Sequence, residues 1–236
     1  MMTPASRRAF LTLTSAAALA AGGCSILGND EKGSSSSAQG TATGQTSQVT
    51  ASSDPAGTVV VYFSMPETDK TTGLTTEEEN SVIVVDGVAL GNTQYAAQLI
   101  AQGTGAQIAR IEAVDAYPLN HDELIALART QQDNKERPAI KPLPDMSGYS
   151  TVFLGYPIWW SDIPMPLYTF LEGTDLSGRT IIPFCTHGGS RLAGTPEAIA
   201  GAAPSATVGS NALVISRDDM ESAPDTVSSW LKDLGL

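Results

Sequence analysis

The sequence predicts an α/β domain built on a doubly wound, five-stranded parallel sheet, and three observations predict it. From Thr58 onward, short β-branched runs alternate with stretches of helical periodicity. The first run, TVVVYFS at 58–64, is apolar almost throughout, as a central strand covered on both faces must be. The aromatic, hydroxyl-bearing and glycine-rich residues collect just after the strands, where the carboxyl ends of such a sheet meet ligands.

The elements follow in order. GNTQYAAQLIAQGTG at 91–105 sets Ala96, Leu99 and Ile100 on one helical face, with Asn92 or Thr93 as the cap and Gly103 or Gly105 as the stop. AQIARIEAV (106–114) reads as the second strand and DELIALARTQQDNKE (122–136) as the second helix. STVFLGYP (150–157) is the third strand, and PLYTFLEG (166–173) a helix with Pro166 near its first turn. RTIIPFCTHGG (179–189) gives the fourth strand and its loop, and TPEAIAGAA (195–203) a helix with Thr195 and Pro196 as cap and first position. NALVIS (211–216) is the fifth strand, and APDTVSSWLKDLG (223–235) closes the chain. Right-handed crossovers then favour the strand order 2-1-3-4-5.

One stretch breaks the rhythm. Residues 66–90 far exceed an ordinary βα loop, and SVIVVDGVALG within them predicts a small hairpin turning at Asp86-Gly87 in a type I′ turn. The acidic run Glu77–Glu79 in the same insertion reads as solvated surface.

The N-terminus reads as an address. MMTPASRRAFLTLTSAAALAAGGC (1–24) has a basic pair, an apolar run too short for a comfortable span, and small residues before Cys24. SRRAFL resembles a twin-arginine export signal, and Gly22-Gly23-Cys24 resembles the end of a bacterial lipobox, with Cys24 the lipidated residue; ordinary signal cleavage is the other reading. Residues 25–57, rich in Ser, Thr, Gly, Ala and Gln, read as a flexible tether because they lack the apolar surface to offset ordering entropy. The expected domain is 58–236, outside the cytoplasm, on the outer face of the membrane.

Composition narrows the function. The 236 residues carry a net charge of −12, which argues against nucleic-acid binding. Leader and tether hold three charged residues of each sign, so the whole excess belongs to residues 58–236. Two Cys and two His, none at ligand spacing, do not supply the usual tetrahedral structural zinc site. Cys185 ends a strand and reads as a buried thiol, and His121, with no motif around it, reads as surface.

YFS with GNT, LGYPIWW and PFCTHGGS, in this order after strands one, three and four, together resemble the flavodoxins over residues 58–236. The resemblance implies FMN as cofactor, its phosphate held by Ser64, Met65, Gly91, Asn92 and Thr93 on helix N–H groups and hydroxyls, with no adjacent basic residue. It implies ring contacts from Pro157, Ile158, Trp159 and Trp160, one indole stacked and the other beneath or at the rim, and from Thr186, His187, Gly188 and Gly189. The departure is the insertion between Ser64 and Gly91, which must return so that Gly91 abuts Ser64. The expected function is electron transfer with basic redox partners and no catalytic residue. The alternatives are an FMN-dependent NAD(P)H:quinone-type reductase and a cofactor-free lipoprotein that uses the fold for binding.

Overall fold

A computed structural model of the chain describes residues 46–236. The leader, Cys24 and residues 25–45 lie outside the described residues.

The elements run β1 (Thr46–Ser47), β2 (Thr58–Tyr62), α1 (Thr76–Ser81), β3 (Val82–Val85), β4 (Val88–Gly91), α2 (Asn92–Thr104), β5 (Gln107–Arg110), α3 (His121–Asp133), β6 (Thr151–Pro157), α4 (Met165–Gly173), β7 (Thr180–His187), α5 (Thr195–Ala202), β8 (Thr207–Gly209), β9 (Leu213–Ser216) and α6 (Ala223–Asp233). The parallel sheet is ordered β5-β2-β6-β7, and the fifth position is shared. β8 pairs with the start of β7 at Thr180 and Ile181, and β9 with its end from Phe184 to His187. The order 2-1-3-4-5 therefore holds, and the expected fifth strand NALVIS supplies only β9.

A sixth position comes from the segment expected to be tether. β1 pairs in parallel with β8, through Thr46↔Val208 and Ser47↔Gly209. Asn211 Nδ2 donates to Val49 O at 3.0 Å, and Asp54 caps a single 3-10 turn at Pro55–Gly57 by accepting from Ala56 N. Residues 46–57 bury little, but their backbone is satisfied by the sheet edge and by caps, which composition alone does not reveal.

Side chains of β2 and of Phe63, which follows it, alternate between two cores. Val59, Val61 and Phe63 join Leu154, Leu167 and Phe170 on the face covered by α3, α4 and α5. Val60 and Tyr62 join Ile100, Phe184 and Leu231 on the face covered by α2 and α6. Each fully buried Val of this strand contributes about 1.5–3 kcal/mol, which is why an apolar run forms the centre of the sheet.

The insertion folds as anticipated at its hairpin. β3 and β4 pair antiparallel, with Asp86 at φ 51° and Gly87 at φ 76°, the two positive values a type I′ turn needs. Ahead of it, α1 starts with a capping box in which Thr75 and Glu78 satisfy each other's backbone N–H groups. Glu78 also pairs with Lys70 at 2.9 Å.

Two caps differ from expectation. The N-cap of α2 is Gly91, and Asn92 and Thr93 are its first helical residues. The N-cap of α5 is Gly194, while Thr195 lies inside, fully buried, its hydroxyl sharing a 2.8 Å hydrogen bond with Tyr156 Oη and donating to Leu192 O. In both helices the side chain is taken up by tertiary contacts.

Candidate functional site

A cavity opens at the carboxyl ends of β2, β6 and β7, lined by Ser64, Met65, Asn92, Thr93, Pro157–Trp160 and Thr186–Gly188. These are eleven of the thirteen residues expected to hold a cofactor. Gly91 sits behind Ser64 and outside the lining. Gly189 is also outside it, and its N–H donates to His187 Nδ1 at 2.9 Å.

The insertion returns as the motif requires. A Cβ built on Gly91 would lie 2.2 Å from Ser64 Oγ and 3.2 Å from Pro66 Cδ, so glycine is what lets the two ends of the loop touch. Gly91 offers no side chain to cap α2, which leaves the first-turn N–H groups of the helix facing the cavity end of the sheet. Thr93 Oγ1 and Thr186 Oγ1 share a buried 2.7 Å hydrogen bond that ties the head of α2 to the end of β7. Asn92 donates from Nδ2 to Asn80 O, and its buried Oδ1 has no partner. No basic residue adjoins Ser64 in sequence, yet Arg110, at the end of β5, donates from Nη2 to Ser64 O at 2.9 Å.

The two tryptophans divide their work. Trp159 stands edge-on to Phe63 and Tyr117, with centroids 5.5 and 5.4 Å away, and anchors the loop in the core. Trp160 is 47% exposed, donates from Nε1 to Ile125 O, and carries the Arg129 guanidinium 5.3 Å from its ring centre. Trp160 and Ser161 both adopt positive φ, 48° and 61°, in a two-residue turn closed by reciprocal hydrogen bonds between Trp159 and Asp162. Such conformations cost non-glycine residues about 1–3 kcal/mol and persist only where the surroundings impose them. Here Asp162 does so, its carboxylate accepting from Ile163 N and Tyr168 Oη.

Burial, and secondarily the charge of Arg191, hold the His187 imidazole below its ordinary pKa. Because Nδ1 accepts from Gly189, the proton of the neutral ring sits on Nε2. Cys185, just beneath, is a free thiol pushed up to about 12 by burial.

Eight lining residues fall outside the motifs: Glu67, Asn80, Ser81, His121, Leu124, Ile125, Ala128 and Arg217. His121, expected at the surface, has a side chain 40% exposed, and it also opens α3 in the cavity wall and donates from Nδ1 to the Glu67 carboxylate at 2.9 Å. Arg217 follows β9 and lies against Gly188, where an added Cβ would meet its Nη1 at 2.8 Å. No local signal in the sequence marks these residues. Among the described residues no group of three or more His, Cys, Asp or Glu could hold a metal ion, and no helix is long and apolar enough to cross a membrane.

Residues 81–234 match the profile of the family described as Flavodoxin. The chain belongs to the flavodoxin family. Solved structures share the flavodoxin fold with it: a candidate flavoprotein from Bacteroides uniformis, at 24% identity, covers 76% of this chain and 99% of its own with a TM-score of 0.58. Another, from Bacteroides eggerthii, is also 24% identical and covers 76% and 98% with a TM-score of 0.51. A flavoprotein from Lactobacillus acidophilus, crystallised in complex with FMN, is 19% identical over 71% of this chain and 96% of its own, with a TM-score of 0.49. No curated protein matches the chain.

Proposed function

We propose that this flavodoxin binds FMN and serves as an electron carrier, exported and held at the outer face of the cytoplasmic membrane by a lipid on Cys24. The observation that carries the FMN reading is the closure of Gly91 on Ser64, which keeps both halves of the phosphate loop together despite the insertion. The donor set fits the group. Ser64 and Thr93 supply hydroxyls, the uncapped head of α2 supplies N–H groups for a phosphate, and the orphaned Asn92 Oδ1 is an acceptor for a ribityl hydroxyl. Pro157–Trp160 and Thr186–Gly189 would hold the ring.

Bound flavin supplies the redox chemistry, and the protein supplies orientation and electrostatics. Trp159 fixes the first ring loop to the core, and the Thr93–Thr186 hydrogen bond fixes the second loop to the phosphate site. His187, neutral and protonated at Nε2, offers a hydrogen-bond donor in the cavity wall, and Arg217 adds a fixed positive charge.

The acidic domain favours transient docking with basic redox partners, at a rate that falls with salt. The tether reading is supported by the direction of β1. It runs parallel to β8, so Thr46 lies toward the amino ends of the strands and the cavity lies at their carboxyl ends. A twin-arginine pathway carries folded proteins, which is compatible with FMN loading before export.

Titration of the purified chain with FMN should quench flavin fluorescence at one site per chain, and the FMN reading is lost without quenching. Steady NAD(P)H oxidation by the FMN-loaded protein would replace the carrier with a reductase. Cys24→Ala should release the protein from the membrane fraction, and retention would remove the lipid anchor.

A further inference from the structure

The insertion brings a carboxylate into a cavity read as an anion site. Glu67 follows Ser64 by three residues, its side chain is 10% exposed, and it lines the same cavity as Ser64, Asn92 and Thr93. Its backbone N–H donates to Ser81 Oγ at 2.9 Å, and Asn80 O accepts from Asn92 Nδ2 at 2.9 Å. These links pin the insertion to the head of α2 and hold the carboxylate where it is. Its partner is His121, 54 positions away, through Nδ1 at 2.9 Å. A carboxylate in a cavity that accepts phosphate opposes the ligand unless a proton or a cation neutralises it.

We propose that Glu67 and His121 set the preference of this cavity for the phosphorylated over the unphosphorylated flavin, through the protonation state of the pair. With Glu67 charged and His121 neutral, the pair repels the phosphate. With His121 protonated or Glu67 neutral, the repulsion disappears. The inference rests on the FMN reading and adds to it a selectivity that depends on pH.

The surrounding charges leave this role to the pair. Glu77 and Glu78 of α1 face Glu67 and deepen the negative field, while Lys70 is engaged by Glu78 at 2.9 Å. Arg110 of β5 is bonded to Ser64 O, and Arg217 after β9 lies against Gly188; both guanidiniums stay charged across the working range. His187 accepts at Nδ1 from Gly189, and its neutral form is favoured. Burial raises the Glu67 carboxyl above the ordinary carboxylate range, opposed by the His121 hydrogen bond.

The test measures dissociation constants of FMN and riboflavin by fluorescence quenching, on the full chain at about pH 5.5 and about pH 8, for the wild type, Glu67→Gln and His121→Gln. The ratio of the riboflavin to the FMN constant isolates the phosphate. At pH 8, Glu67→Gln should raise this ratio about tenfold over wild type, the scale of one partly screened charge interaction. At pH 5.5 Glu67→Gln should still lie above wild type, because any positive charge on His121 is common to both, and His121→Gln, with Glu67 unopposed, should lie below wild type. The second ionisation of the phosphate, near pH 6, is common to all three proteins and cancels in the comparison. A ratio in Glu67→Gln equal to that of the wild type at both pH values overturns the proposal and leaves the FMN reading standing. Failure of the wild type to bind either flavin overturns both.

Discussion

One wall of the cavity, Pro157–Trp160 and Thr186–Gly188, comes from the ends of adjacent strands. The other, Glu67, Asn80, Ser81 and His121, comes from an insertion and a helix that meet only in the folded chain. The first wall carries no formal charge at neutral pH and is positioned by the sheet, in which Pro157 pairs with Thr186 and Ile158 N donates to Thr186 O. The second contains the ionisable Glu67 and His121, and each of its links uses at least one side chain, across 54 positions for Glu67–His121 and 14 for Glu67–Ser81. A sheet-built wall gives shape and stays fixed, whereas a wall of side-chain links can respond to protonation. The proposals above place the flavin's shape on the first and its charge selectivity on the second.

Truncating the anchor of the first wall should give the largest effect. Trp159→Ala removes an indole set edge-on between Phe63 and Tyr117 and should cost about 3 kcal/mol of unfolding free energy by urea denaturation, the low end for a large aromatic because the residue is only half-buried. A loss below about 1 kcal/mol would mean that the sheet ends hold the loop without it. Next comes the seam between the walls. Gly91→Ala puts a methyl 2.2 Å from Ser64 Oγ and should cost about 2 kcal/mol and abolish FMN quenching. Adding Ser64→Gly removes the obstructing hydroxyl and should restore stability but not affinity, because the donor is gone as well. Trp160→Ala should cost under about 1 kcal/mol, since the ring is exposed and loses little beyond the Arg129 contact and one hydrogen bond. FMN affinity should still fall by up to about tenfold if the indole meets the flavin.

These unequal tryptophans show what the sequence carries and what it does not. WW in a Pro-bounded loop announces a surface for a flat ligand, and the order of the motifs gives the sheet and most of the first wall. Which indole turns inward depends on the positive φ at Trp160 and Ser161, imposed by Asp162 and its partners, and no propensity of Trp or Ser indicates it. The hairpin was legible because Asp86-Gly87 between alternating apolar residues is local turn chemistry. His121 was not, because its meaning lies in Glu67 of a different element. Residues 46–57 were hidden for a related reason, since a strand of two residues is defined by its neighbour β8 and by hydrogen bonds from Asn211, not by its own composition.

The smallest effect should appear in stability as a slope. Burial, only partly offset by the His121 hydrogen bond, raises the Glu67 carboxyl above its value in the unfolded chain, so the folded protein binds this proton more tightly. The resulting stabilisation is fully present below the unfolded pKa and is lost as pH rises through the folded one. As pH rises from about 4, the ordinary carboxylate value, through the raised folded-state value, the wild type should therefore lose a contribution that Glu67→Gln, which carries no proton to release, does not lose. Urea denaturation across that window should show the variant gaining on the wild type as pH rises. Parallel curves would mean that His121 compensates the buried carboxylate fully, which would also remove the electrostatic tension on which the flavin selectivity depends.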